Sequence, residues 1–297
     1  MKPTINFERV ADYNAFNKHE TLHPLVSVVD LSKADPRGQS IMNFGIFCII
    51  LKQVVCGDIR YGNNSYDYQE GTLVFFSPGQ VAEVNNPEIY QPMGIALVFH
   101  PDLLQGTSLG RHMSDYTFFS YNTSEALHLS EKERNIIVDC LTKIEYELQQ
   151  GIDKHSKKLI SANIELFLNY CTRFYERQFI TRDNVNKGTL EKLEQLLHHY
   201  FQSNRPQAEG LPSVAWCAEE LHLSANYFGD LIKKETGKSA QDHIQSKLID
   251  IAKERILNNG KSISEVAYEL GFRYPQHFSR LFKQRVGCTP NEYRALN

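Results

Sequence analysis

The six cysteines, at positions 48, 56, 140, 171, 217 and 288, form no C-x-x-C pair and no zinc-finger spacing. They read instead as small buried hydrophobes in a reducing compartment. Histidine is equally unclustered: residues 19, 23, 100, 112 and 128 stand singly, and His198 and His199 are neighbours whose side chains diverge on a helix. No metal site follows from them. Also missing are a G-x-x-x-x-G-K-[ST] phosphate loop and a G-x-S-x-G nucleophile elbow, so no residue is assigned as catalytic. The longest apolar run, Phe44 to Leu51, is too short to cross a bilayer, and the opening M-K-P-T-I-N-F-E-R-V lacks the apolar region of a signal peptide. The expectation is a cytoplasmic protein without a membrane partner. A net charge of -3, from 32 basic and 35 acidic residues, argues against a nonspecific nucleic-acid coat. With 297 residues and 41% apolar content the chain can bury two cores, so two domains are expected.

What is present is a repeat near the C-terminus. Glu220 to Ser239 reads E-L-H-L-S-A-N-Y-F-G-D-L-I-K-K-E-T-G-K-S, and Glu269 to Thr289 reads E-L-G-F-R-Y-P-Q-H-F-S-R-L-F-K-Q-R-V-G-C-T. With one extra residue in the second turn, Leu221, Leu223, Phe228, Leu231, Ile232, Lys233 and Gly237 fall opposite Leu270, Phe272, Phe278, Leu281, Phe282, Lys283 and Gly287. Each copy has the apolar spacing of a helix-turn-helix. Two copies are too few for a solenoid, so a duplicated recognition module is the better reading. The face left over carries Asn226, Tyr227, Gly229, Asp230, Lys233 and Lys234 in the first copy, and Gln276, His277, Ser279, Arg280 and Lys283 in the second. Amide, hydroxyl, imidazole and guanidinium groups hydrogen-bond base edges, and lysines meet phosphates.

Capping signals set the boundaries. Ser262 with Glu265 and Thr289 with Glu292 form capping boxes, Ser224 is an N-cap, and Pro275 fits a first helical turn. Between the copies, Ile244, Leu248, Ile251, Ala252, Ile256 and Leu257 make one apolar stripe ending at Gly260. That connecting helix spans roughly 27 to 30 Å, near the ~34 Å between successive major-groove faces of B-DNA.

On these residues, Ser213 to Arg294 resembles the DNA-binding domain of the AraC/XylS family of bacterial transcription regulators. Gly271 to Arg294 carries the family's G-F, F-x-R-x-F-K and G-x-T-P-x-x-Y-R elements. The resemblance implies double-stranded DNA and RNA polymerase as partners, a homodimer, and a small-molecule effector in many members. Some positions depart from the pattern. Tyr274 stands where a small capping residue is usual, and it either packs on the turn or reaches the DNA backbone through its hydroxyl. Gly229 and Asp230 stand where groove-facing polar or basic groups are implied, so the first module is expected to contribute less electrostatic affinity. Residues 271–297 hold five basic residues against one acid, whereas residues 1–188 hold 18 basic and 22 acidic residues.

Upstream, short β-type runs at Val26 to Asp30, Asn43 to Leu51, Gln53 to Ile59, Thr72 to Phe76 and Met93 to Phe99 alternate with turn signals. They predict a small barrel or sandwich. Gly71 to Gln80, G-T-L-V-F-F-S-P-G-Q, resembles the cupin-like N-terminal domain of many family members. Cupin metal ligands, an H-x-H pair with a glutamate and a later histidine, have no counterpart between Gly57 and Gly71. Tyr61, Tyr66, Tyr68, Phe75 and Phe76 either line a pocket or fill the core. From Ser130, a capping box opens a helix with Ile137, Leu141, Ile144 and Leu148; a second carries Ile160, Ile164, Phe167, Cys171 and Phe174. That seam pairs across a dimer or packs on its own barrel, and the resemblance implies the dimer.

The expected architecture is α+β: a cupin-like sensor barrel over residues 1–130, a helical dimerisation segment over 131–176 and a linker over 177–188. An all-α domain with two helix-turn-helix motifs follows over 189–297. The function read from this is a sequence-specific transcription regulator, an activator by resemblance, with no cofactor. The alternative is a ligand-binding or metabolic cupin with a helical protein-interaction tail.

Overall fold

Strands form in the N-terminal half where β-branched and aromatic residues run consecutively. The computed structural model describes residues 2–52, 71–84, 88–181, 183–257 and 260–296, which divide into two units at 181/182. In the first unit, β1 (Thr4–Phe7), β2 (Val26–Asp30), β3 (Ser40–Phe44), β4 (Phe47–Lys52), β5 (Thr72–Phe76), β6 (Val81–Val84), β7 (Gly94–Phe99) and β8 (Leu127–His128) make two sheets. The orders are β1-β3-β6 and β2-β7-β4-β5-β8. Every pairing is antiparallel except β1 with β3. One core lies between the sheets, where Phe44 and Met42 of β3 pack with Cys48, Val74, Phe76, Ala96 and Val98. The opposite face of the larger sheet is covered as well, for Phe75 meets Phe118 and Tyr175 at ring-centroid distances of 4.6 and 6.1 Å. Burial on both faces explains why β5 reads as a nearly continuous apolar run rather than an alternating one.

Among the described residues the ladders form two sheets and do not close into a barrel. Strands β3 and β4 are separated at Gly45 and Ile46. The single strand expected over residues 43–51 breaks there, Gly45 N donates to Phe7 O at 2.9 Å, and the chain passes from the smaller sheet to the larger. The expected strand at 53–59 and Tyr61, Tyr66 and Tyr68 lie outside the described residues. Among the described residues, four α-helices accompany the sheets: α1 (Val10–Phe16), α2 (Ser108–His112), α3 (Glu131–Gln149) and α4 (Ser156–Thr181). Ser130 and Glu133 form the expected capping box at the start of α3. The apolar stripes of α3 and α4 are buried within their own unit, with Ile137, Ile144, Ile160, Ile164 and Phe167 fully enclosed. That seam is therefore occupied intramolecularly. Arg177 fastens α4 to α3, donating from Nε and Nη2 to Glu133 at 2.9 and 2.8 Å.

The second unit is all helical: α5 (Asp183–Gln202), α6 (Arg205–Glu209), α7 (Val214–Glu220), α8 (Ala225–Thr236), α9 (Ala240–Ile256), α10 (Ile263–Glu269), α11 (Pro275–Val286) and α12 (Pro290–Leu296). The polar stretch 177–188, expected to be a linker, is helical on both sides of the division, with α4 running through Thr181 and α5 starting at Asp183. The loop expected over 203–210 contains α6. Side chains of Leu193, Leu197 and Phe201 from α5 join Phe228, Ile232, Ala252, Ile256, Phe278 and Phe282 in the buried interior.

Candidate nucleic-acid interface

The two copies fold alike because the same bonds recur at matching positions. In the first, Leu221 N donates to Cys217 O at 3.2 Å and Leu223 N reaches back to Ala218 O at 2.9 Å. In the second, Leu270 N donates to Val266 O and Phe272 N to Ala267 O, both at 3.0 Å. A residue in the left-handed region lies between each pair of donors: His222 at φ 58° and Gly271 at φ 92°. This is the turn that ends the first helix of each module, satisfying its last carbonyls. The second helix of each module then starts differently. Ser224 accepts from Tyr227 N at 3.3 Å to cap α8, whereas α11 begins with Pro275 at its first position and Tyr274 as an N-cap without a side-chain bond. Both end alike, on left-handed Gly237 and Gly287, whose N–H groups donate to Lys233 O and Lys283 O at 2.9 Å.

Inside each module the inner face is closed by apolar contact. Phe228 and Ile232 are fully buried, as are Phe278 and Phe282, whose rings lie 5.7 Å apart. Outside, Asn226, Lys233 and Lys234 of α8 are exposed, as are Gln276, His277, Arg280 and Lys283 of α11. Asp230, Gly229 and Ser279 are half-buried at the edges of those faces. Tyr227 differs from its sequence expectation: it is 5% exposed, so its ring belongs to the interior rather than to the groove-facing surface. The reason is its position, one residue before Phe228, on the flank of the helix that turns toward the core. Tyr274 is half exposed, packed edge-on against His277 at 5.5 Å and beneath the Arg273 guanidinium at 5.9 Å. Three exposed residues at this helix were not singled out from sequence, Arg273, Gln284 and Arg285. Gln284 was detectable there, since the repeat sets it opposite Lys234.

Connecting helix α9 has 17 residues, about 25 Å of axis. Ser239 caps it, accepting from Asp242 N at 3.1 Å. The two capping boxes at the second module are formed: Ser262 with Glu265, and Thr289 with Glu292. Hydrogen bonds from backbone N–H groups of Ser262 and Thr289 hold the carboxyls of Glu265 and Glu292 below their ordinary range. The Arg285 guanidinium does the same for Asp242. Burial pushes the Cys217 thiol in α7 up to about 12, which keeps it neutral and unreactive. No group of three or more His, Cys, Asp or Glu side chains is placed to hold a metal ion among the described residues. No helix among them is long and apolar enough to cross a membrane.

Residues 217–296 match the family model described as a helix-turn-helix domain. The transcriptional regulatory protein YesN of Bacillus subtilis (strain 168), itself uncharacterized, is 35% identical over 85 residues, 28% of this chain and 23% of that one. An uncharacterized HTH-type transcriptional regulator of the same organism, YfiF, is 30% identical over 141 residues, 48% of this chain and 41% of its own. The match thus spans less than half of either relative. Among solved structures, the C-terminal domain of AraT, a response regulator from Geobacillus stearothermophilus, is similar at 27% identity and a TM-score of 0.33, over 37% of this chain and 85% of that one. With its two capped modules on one connecting helix, the C-terminal unit contains a helix-turn-helix domain of the AraC type over residues 217–296.

Proposed function

We propose that this chain is a sequence-specific transcription activator that sets α8 and α11 into adjacent major grooves of double-stranded DNA. The observation that carries the reading is the pair of matching modules on either end of α9, each with an exposed polar face. Arg280 with Gln276 is the leading base-reading pair, because an arginine fork and an amide both make bidentate contacts to purine edges. Asn226 is the corresponding reader in α8. Lys283, Lys233 and Lys234 serve as phosphate contacts, and His277 and Ser279 supply adjustable hydrogen bonds at the margins. With Asp230 at its edge, α8 discriminates more than it attracts.

The N-terminal unit is assigned the sensing role. Asn14 Oδ1, Arg37 Nε and Ser40 Oγ are buried polar atoms with no hydrogen-bond partner, a pattern that suits a polar small-molecule effector or ordered water. Pairing with a second copy falls to the outer face of α4, where Leu159, Leu166 and Ile180 are exposed on one heptad frame. Effector binding or pairing changes how the DNA-binding units are presented to paired sites, and the bound protein recruits RNA polymerase in the cytoplasm.

The test is selection of fragments from a random-sequence DNA library by the full chain at roughly physiological salt, with competitor DNA present. An enriched motif of two patches one helical turn apart supports the reading. No enrichment would shift the assignment to a ligand-binding protein with a helical interaction tail.

A further inference from the structure

Residues 271–297 hold five basic side chains, and two of them bond to other parts of the protein. Arg294 Nε donates to Ile256 O at 2.7 Å, at the end of α9. Arg285, in the last turn of α11, donates through Nη2 to both Asp242 Oδ1 and Gln245 Oε1 in the first turns of α9. Asp242 is itself held, accepting from Ser239 Oγ at 2.7 Å. Arg273, Arg280 and Lys283 form no ion pair among the described residues.

The placement of Arg285 joins the two modules. Residue 239 caps α9 only two residues after Gly237 closes α8, so the Asp242 carboxylate sits where the first module hands over to the connecting helix. Arg285 therefore ties the far end of the second recognition helix to the near end of the first module's exit. The second module is fixed to the other end of α9 through Arg294. Two anchors, about 21 Å apart along the 14 residues from 242 to 256, restrict rotation of α11 about α9 where one anchor would leave a hinge. The repeat supports a role specific to the second copy, since the counterpart of Arg285 in the first is Glu235.

We propose that Arg285 is a positioning residue: through Asp242 and Gln245 it fixes the angle between the two recognition helices and so sets the spacing of DNA patches the protein accepts. It is not a phosphate ligand, although it lies on the recognition helix and is basic. This inference rests on the proposed DNA-binding mode.

The probe is the DNA selected by the wild-type full chain, together with the same duplex carrying one base pair inserted between its two patches. Arg285→Ala is expected to reduce the preference for the selected spacing over the lengthened one about two- to fivefold, the scale of a partly exposed ion pair. Its dependence of log affinity on log salt stays unchanged, whereas removing a phosphate contact lowers that slope by about 0.9. Asp242→Asn, which removes no positive charge and does not alter α11, is expected to reduce the preference equally. The exchange Arg285→Asp with Asp242→Arg is expected to restore it. A reduced salt slope in Arg285→Ala, or a spacing preference equal to wild type in both single variants, overturns the proposal. If the wild-type chain selects no DNA, the DNA-binding reading itself fails, and this inference with it.

Discussion

Gly271 and Gly210 approach so closely that a Cβ on Gly271 would lie 2.7 Å from the Gly210 carbonyl oxygen. It would also meet Pro206 O at 2.8 Å, and the Gly271 φ of 92° already disfavours any other residue. Backbone from the end of α6 is thus pressed onto the turn of the second module, held there in part by Tyr200 Oη donating to Gly210 O at 2.9 Å. Gly271→Ala is expected to destabilise the C-terminal unit by roughly 2 to 4 kcal/mol, combining left-handed strain with the displaced backbone. Chemical denaturation of the full chain, followed by the fluorescence of Trp216, checks this.

His222 occupies the matching turn position of the first module, also left-handed, without glycine's freedom. It is exposed, so its side chain gains little from packing. His222→Gly is expected to stabilise the same unit by about 0.5 to 1 kcal/mol, the strain relieved less the entropy glycine adds to the unfolded chain. A lower denaturation midpoint for this variant would contradict it.

The contrast between these two turns shows how much of the site was legible in the sequence. Helical spacing, capping serines and the repeat register place both modules, their boundaries and the connecting helix, because each is written in local residue order. What lies beyond local order was not legible: that Gly271 is forced by a carbonyl from α6, that Arg285 is engaged by α9, or that Tyr227 turns inward. Each depends on which neighbour the fold brings up. The N-terminal unit gives the same lesson. Val26 to Asp30 and Thr72 to Phe76 were readable as strands, but short β1, β6 and β8 carry too few residues to show a period, and the break at Gly45 depends on the bond to Phe7.

Tyr227 was expected on the DNA-facing surface and is buried. Its ring is removed from water almost completely, at 5% exposure, so Tyr227→Ala is expected to cost about 3 to 5 kcal/mol of stability. A denaturation curve on the variant decides the matter: an unchanged midpoint with altered sequence preference would return Tyr227 to the groove-facing set.

Acid should loosen the second module through its caps. The carboxyls of Glu265 and Glu292 are held below the ordinary value of 4.5 by the backbone N–H groups of Ser262 and Thr289. A depressed folded-state value means that the caps contribute fully above 4.5 and lose their contribution as pH falls through the lower folded value. Glu265→Gln with Glu292→Gln is therefore expected to lower the thermal midpoint at pH 7 and to converge with wild type as pH falls through the lowered folded values. A gap of constant size across that range would show that the carboxylates are not its source.

Arg280 and Lys283 lie three residues apart on the exposed face of α11, yet they are assigned different tasks. A guanidinium directed at a base edge forms a bidentate pair with one base, so Arg280→Ala should cost about 1 to 3 kcal/mol and relax preference at a single position of the selected motif. An ammonium on a phosphate sees every sequence alike. Lys283→Ala should weaken all duplexes by a similar factor and lower the salt slope by about 1. Repeating the DNA selection with each variant separates the two, because only a base reader changes the motif. If both variants weaken every sequence equally and leave the motif intact, Arg280 is a phosphate contact, and base reading by the second module must come from Gln276, His277 and Ser279.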